Sequence, residues 1–189
     1  FLLDTELSDS LFDYRNKRRC PYDGEFVSEE CQRDSIDVPT LDIIHLMGQH
    51  FSYYKRYPHN EAAFVSFHPA YKNIAPRNRA VAAQYDNAAF YNDKVLEMIL
   101  RMYENDDAVV VYLSDHSEEV YDAGDFQGRV FGEMTDANRK YQLEVPMWIW
   151  TSTRYRQNHP ELVRRMNALR DTPIMTDTVP RMLLDLAGI

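Results

Sequence analysis

An α/β fold built on a mainly parallel sheet flanked by helices is predicted by three features of these 189 residues. Short apolar runs alternate with long stretches of 3.6-residue periodicity, as in chains that layer helices on a sheet. The run Ala108 to Leu113 is apolar and largely β-branched, the composition of a strand covered on both faces. With 44% hydrophobic residues and no internal repeat, the chain carries enough apolar surface for one core.

Residues 1–35 are polar and broken by Pro21 and Gly24, with a short helix expected over Leu7 to Tyr14. They read as a peripheral segment ahead of an α/β core over 36–189. Cys20 and Cys31 leave open either a small disulfide loop or two thiols, and two cysteines do not fix a compartment. Leu41 to Gly48, after Pro39, reads as a buried strand with His50 just past its end. Alternation places His45 of that strand in the sheet packing.

Pro58, Pro69 and Pro76 then impose an ordered but irregular excursion over 51–78. Val81, Tyr85, Ala88, Val95, Ile99 and Met102 share one helical face, so Arg79 to Glu104 should be one amphipathic helix. Ala108 to Leu113 is the next strand and Val145 to Thr151 the third, with Trp148 and Trp150 on one face as core. His159-Pro160 opens a helix to about Leu169, and Thr176 is placed to cap a final helix that stops at Gly188. His59, His68 and His159 fall in loops and read as surface residues.

A net charge of −9 argues against nonspecific affinity for nucleic acid or anionic lipid, and Lys17-Arg18-Arg19 reads as a solvated face. No apolar stretch approaches the roughly 20 residues of a membrane-spanning helix, and Phe1-Leu2-Leu3 is too short for a signal-peptide core. The chain lacks an initiator Met, and the expectation is a cut from a longer protein.

Open parallel sheets gather ligands at the carboxyl ends of their strands. Two strands deliver polar residues there, one ending in Gly48-Gln49-His50 and the other in Ser114-Asp115-His116. An Asp carboxylate beside a neutral imidazole offers a hard oxygen and a borderline nitrogen, a pair suited to zinc or manganese. On spacing alone, Asp115 capping a turn while His116 bonds to backbone remains open. Glu118 and Glu119 read as a solvated loop face. If the pair does bind zinc, the imidazole must be neutral, so affinity should fall below about pH 6. A titration at two pH values checks this, and equal affinity would contradict it.

At this point "YLSDHSEEVYD" resembles the Ser-Asp-His-Gly-Glu signature of the sulfatase and alkaline-phosphatase superfamily, in the version found in bacterial phosphoethanolamine transferases. "IIHLMGQHFSYYKRYP", "QYDNAAFYNDKVLEMIL", "VPMWIWTS" and "TDTVPRMLLDLAGI" are similar to further segments of that family, in order, over about residues 20 to 189. The resemblance implies an incomplete domain of alkaline-phosphatase/sulfatase-like fold. It implies zinc held by Asp115, His116, a Glu and a Thr, the Thr attacking the phosphorus of a phospholipid head group and passing it to a hydroxyl of a glycan or lipid A. His50 matches a histidine near the transferred phosphate or a second metal. Ser117 stands where the pattern has Gly, and no histidine occurs between His116 and His159, which puts a second metal in doubt. Neither Thr5 nor Thr40 has the context of the nucleophile. The nucleophile, the Glu ligand and membrane-spanning helices are therefore expected upstream. The isolated chain, expected to be a monomer, should then be inactive, its domain facing the periplasm from a bacterial inner membrane.

Other superfamily chemistries, a phosphoglycerol transferase, sulfatase or phosphatase, share the Asp-His element. A nonenzymatic α/β binding module would tolerate loss of Asp115 or His116. Lys55 and Arg56 read either as contacts to a phosphate or acidic acceptor or as structural parts of a Tyr-rich loop.

Overall fold

The computed structural model describes residues 12–13, 18–29, 31, 39–130 and 132–187. The helix expected over Leu7 to Tyr14 lies mostly outside them, as do Thr5 and Gly188. β1 (Phe12–Asp13) and β2 (Arg18–Arg19) form a short antiparallel pair, followed by α1 (Asp23–Glu29). Residues 20–29 and Cys31 are not peripheral. Cys20, Phe26, Val27 and Cys31 are buried in one cluster with Tyr53, Tyr57, Val95 and Ile99.

The backbone of that cluster is α2 (Arg79–Tyr103), formed where the periodicity places it. Ala88 and Val95 are fully buried and Ile99 nearly so, while Val81, Tyr85 and Met102 pack at its margin. Gly24 of α1 crosses Tyr91 of α2 so closely that an added Cβ would overlap the phenol oxygen. Burial, then the Glu61 carboxylate, push the Tyr91 phenol up to about 12, so its proton stays on. Gly24→Ala should therefore lower stability by about 1–3 kcal/mol. Chemical denaturation checks this, and an unchanged midpoint would show that α1 can shift freely.

The excursion over 51–78 is a succession of short 3-10 turns, and one triplet of α2 fastens it. Tyr85 meets Tyr53 edge to face at 5.1 Å. Asp86 accepts from the Tyr71 hydroxyl at 2.5 Å, and Asn87 bonds the backbone of Ala63 and Phe64. The Tyr-Asp-Asn sequence is thus three successive tethers.

β3 (Val109–Leu113) is followed by a hairpin of β4 (Glu119–Val120) and β5 (Gln127–Gly128), then α3 (Asp136–Leu143) and β6 (Met147–Thr151). β3 and β6 pair antiparallel, Val109 opposite Thr151 and Leu113 opposite Met147. Where a mainly parallel sheet is expected for the domain, the three strand pairs formed by the described residues are two-stranded and antiparallel. Apolar residues on both faces report two-sided packing but not strand direction. The connection from Ser114 to Pro146 returns to the end it left, bonded Ser114 N–H to Pro146 C=O, so no crossover reaches the opposite end.

Past β6, Ser152 is wholly buried and caps α4 (Thr153–Asn158), its Oγ accepting from Tyr155 N–H and Ala108 N–H and donating to Asp106 C=O. One hydroxyl thus ties the start of β3 to the end of β6. α5 (Pro160–Leu169) and α6 (Val179–Ala187) follow, the latter preceded by a 3-10 turn at Thr176–Thr178.

Leu41 to Gly48 is extended but not a paired strand, with a single bridge residue at Ile43. Its alternation is real: Ile44 and Leu46 pack on the core while Leu41, Ile43 and His45 point outward. His45 is accordingly exposed rather than buried. That outward face and β3 line a cleft of about 3000 Å³, with Asn92 and Leu96 of α2 also in its wall.

Candidate metal and phosphate site

Ser114-Asp115-His116 leave the end of β3 and line the cleft, where His50 also lies. Asp115 is a surface residue, its side chain 80% exposed against 38% for His116. Asp115 Oδ1 accepts the His116 N–H at 3.0 Å, and Ser114 Oγ donates to the His116 carbonyl at 2.7 Å. These local bonds set the direction of both side chains without help from distant residues.

The imidazoles of His116 and His50 share one arrangement. His116 Nδ1 lies 3.2 Å from the Ser117 carbonyl, and His50 Nδ1 lies 2.6 Å from the Phe51 carbonyl. A carbonyl only accepts, so a neutral imidazole that keeps these contacts carries its proton on Nδ1 and its lone pair on Nε2. This is the tautomer a metal or a phosphoric-acid proton requires.

Asp115 Oδ2 and His116 Nε2 stand 3.6 Å apart. Donors roughly 2.1 Å from a tetrahedral zinc sit roughly 3.4 Å from one another, so the pair fits two of four ligand positions. Among the described residues no group of three or more His, Cys, Asp or Glu converges on one point. The pair would fill half of a tetrahedral shell.

The loop after the pair departs from its reading as a solvated face. Glu119 is 1% exposed, accepting from Ala123 N–H at 3.2 Å and from the Gln142 amide at 3.4 Å. Gln142 also donates to Gly128 C=O and accepts from Val130 N–H, locking the β4–β5 hairpin onto α3. Tyr53 is buried, and burial followed by its hydrogen bond to Glu118 holds its phenol far above the usual range. Tyr53 therefore remains a donor toward Glu118 while accepting from the Gln127 amide at 2.9 Å. Glu118 and Glu119 had no signal in the sequence beyond adjacency to the Asp-His pair, and Tyr53 none beyond its place in the Tyr-rich loop.

Arg56 resolves one open reading. Its Nε donates to the His50 carbonyl at 2.9 Å and its Nη2 to the Phe51 carbonyl at 2.8 Å, so it is bound to the loop backbone. Lys55 lies over the Tyr54 ring at 5.7 Å. Trp148, expected in the core, stacks on Tyr112 at 5.1 Å and is only half-buried, lining the cleft. Asn92 Oδ1 and Ser117 Oγ are buried without a hydrogen-bond partner among the described residues.

Residues 25–189 match the sulfatase family profile. Phosphoethanolamine transferase EptC of Escherichia coli strain K12 is 32% identical over 126 residues, covering 64% of this chain and 21% of that protein. The Kdo(2)-lipid A phosphoethanolamine 7''-transferase of the same strain is 28% identical over 151 residues, covering 76% and 25%. In three dimensions the chain resembles the crystal structure of the C-terminal periplasmic domain of E. coli EptC in complex with Zn, with TM-score 0.58 and 30% identity. That likeness covers 74% of this chain and 40% of that one. The chain thus spans about a fifth to a quarter of the length of these curated relatives. With the profile matched across nearly all of it, the chain belongs to the sulfatase family.

Proposed function

We propose that this chain is part of the catalytic domain of a zinc-dependent transferase that moves phosphoethanolamine from a phospholipid to a hydroxyl of a cell-envelope glycan or lipid A. The observation that carries the reading is the Asp115–His116 pair at the end of β3, two donors 3.6 Å apart with the histidine in its ligating tautomer. The relatives named phosphoethanolamine transferases, and the zinc complex of a matching domain, support it.

In this reading Asp115 and His116 hold the ion. Bound there, zinc would supply Lewis acidity to a phosphoryl oxygen and to the attacking hydroxyl. His50 lines the cleft, and its Nε2 accepts a proton from, or donates one to, a phosphate oxygen. The hydroxyl that becomes phosphorylated, a Thr by family resemblance, and the remaining ligands come from outside these residues. Among the described residues no helix is long and apolar enough to cross a membrane. The periplasmic placement and inner-membrane tether therefore rest on the family relation.

The test is transfer by the intact protein carrying this chain, with fluorescently tailed phosphatidylethanolamine as donor. Release of labelled diacylglycerol, dependent on zinc and on Asp115, is expected. Hydrolysis of an aryl sulfate without diacylglycerol release would replace the reading with a sulfatase.

A further inference from the structure

We propose that Asp23 and Arg56 are positioning residues that clamp the loop carrying His50, an acid on its amide side and a base on its carbonyl side. Asp23 is 4% exposed and sits at the start of α1, more than twenty residues before the loop it touches. Its Oδ1 accepts the Met47 N–H at 3.1 Å and its Oδ2 the Gly48 N–H at 2.8 Å. On the other side the Arg56 fork spans the His50 and Phe51 carbonyls.

Between these grips the chain makes a tight turn. His50 N–H closes back on Met47 C=O at 2.9 Å, and Gly48 takes a φ of +49°, which a side chain would resist. Each charge meets the backbone dipole of opposite sign, so both ends of the turn are fixed by charge-assisted bonds. His50 has no such anchor of its own, because among the described residues its ring hydrogen-bonds within this loop, to Phe51 C=O. Burial raises the Asp23 pKa, opposed by the two amides and then by Arg56, and it is the geometry, an N–H donated to each oxygen, that is a carboxylate's.

This inference rests on the role proposed above for His50, and its test separates the two. The intact protein would carry ¹³Cε1-labelled histidine and the substitutions Asp23→Asn, Arg56→Gln and Arg56→Lys. An Asn offers one amide an acceptor and turns an NH2 against the other. A Lys keeps the charge but cannot fork across two carbonyls. In all three variants the His50 signal should move and broaden while His68 and His159 stay in place. An unmoved His50 signal, or movement of all three, overturns the clamp.

Transfer gives the second readout. Each substitution should lower kcat about tenfold with His50 present, and by no more than about twofold in a His50→Ala background. Equal losses in both backgrounds, or rescue by Arg56→Lys as for a direct phosphate contact, also overturn it. If the unsubstituted protein transfers nothing, the transferase reading fails and the histidine signals alone decide the clamp.

Discussion

His116→Ala should remove bound zinc from the intact protein and slow transfer by at least about a hundredfold, with almost no change in melting temperature. His116 contributes little to packing, since its side chain is 38% exposed and, among the described residues, its ring meets only the neighbouring Asp115 carboxylate and Ser117 carbonyl through polar contacts. Loss of such a surface side chain changes stability by about 0.5 kcal/mol or less. Asp115→Asn should act alike through charge, because the amide keeps the shape but is a weak ligand for a hard cation. The control lies in the same chain. His159 Nε2 stands 3.3 Å from Asp107 Oδ2, a second Asp–His pair at nearly the same separation. Yet Asp107 is already engaged by the Asn158 amide at 2.8 Å, and the His159 ring packs on Tyr155 at 4.4 Å. That pair caps the junction of α4 and α5, so His159→Ala should leave the zinc content intact. Metal analysis and initial rates on the three variants decide the matter. Equal zinc in His116→Ala and the unsubstituted protein would sink the assignment.

The contrast between these two pairs shows what the sequence made legible. Asp115-His116 stood out because adjacency and a preceding apolar run are local, and local features survive folding. The long helix was legible for the same reason, its apolar stripe being written at 3.6-residue spacing and filled by Ala88, Val95 and Ile99. Strand direction was not, because apolar side chains on both faces of Ala108 to Leu113, half-buried throughout β3, are the same whichever way the neighbouring strand runs. Asp23 and Glu119 were missed for a further reason. A carboxylate in a polar, turn-rich stretch has a solvated surface as its default, and only contacts made at long range, to Met47 and Gly48 or to Gln142, bring it inside. Arg56 was left undecided because a guanidinium serves a phosphate and a pair of carbonyls with the same fork.

Long-range contacts of this kind also set the largest expected loss of stability, that of Asn87→Ala. Asn87 is 4% exposed. Its Oδ1 accepts from Ala63 N–H at 2.7 Å and Phe64 N–H at 2.8 Å, and its Nδ2 donates to Phe64 C=O at 2.9 Å. Alanine would leave all three part-buried backbone groups without their partner. A cost of about 2–4 kcal/mol follows, roughly 2–4 °C of melting temperature for each kcal/mol. Asn87→Asp separates hydrogen bonding from simple loss of contacts. At neutral pH the introduced carboxylate accepts both amides but faces the Phe64 carbonyl with an acceptor, and lies next to Asp86 on the helix. Its protonated form regains the missing donor, so folding raises its pKa above the unfolded value. The native state then binds more protons, and the variant should gain stability relative to the parent as pH falls through that raised pKa, losing it again as pH rises. Denaturation midpoints of parent and variant measured from neutral to mildly acid pH test this. A constant difference across the range would mean that the crevice admits water and that the tether between α2 and the 51–78 excursion, which carries Tyr53 and Arg56 to the site, depends on packing instead.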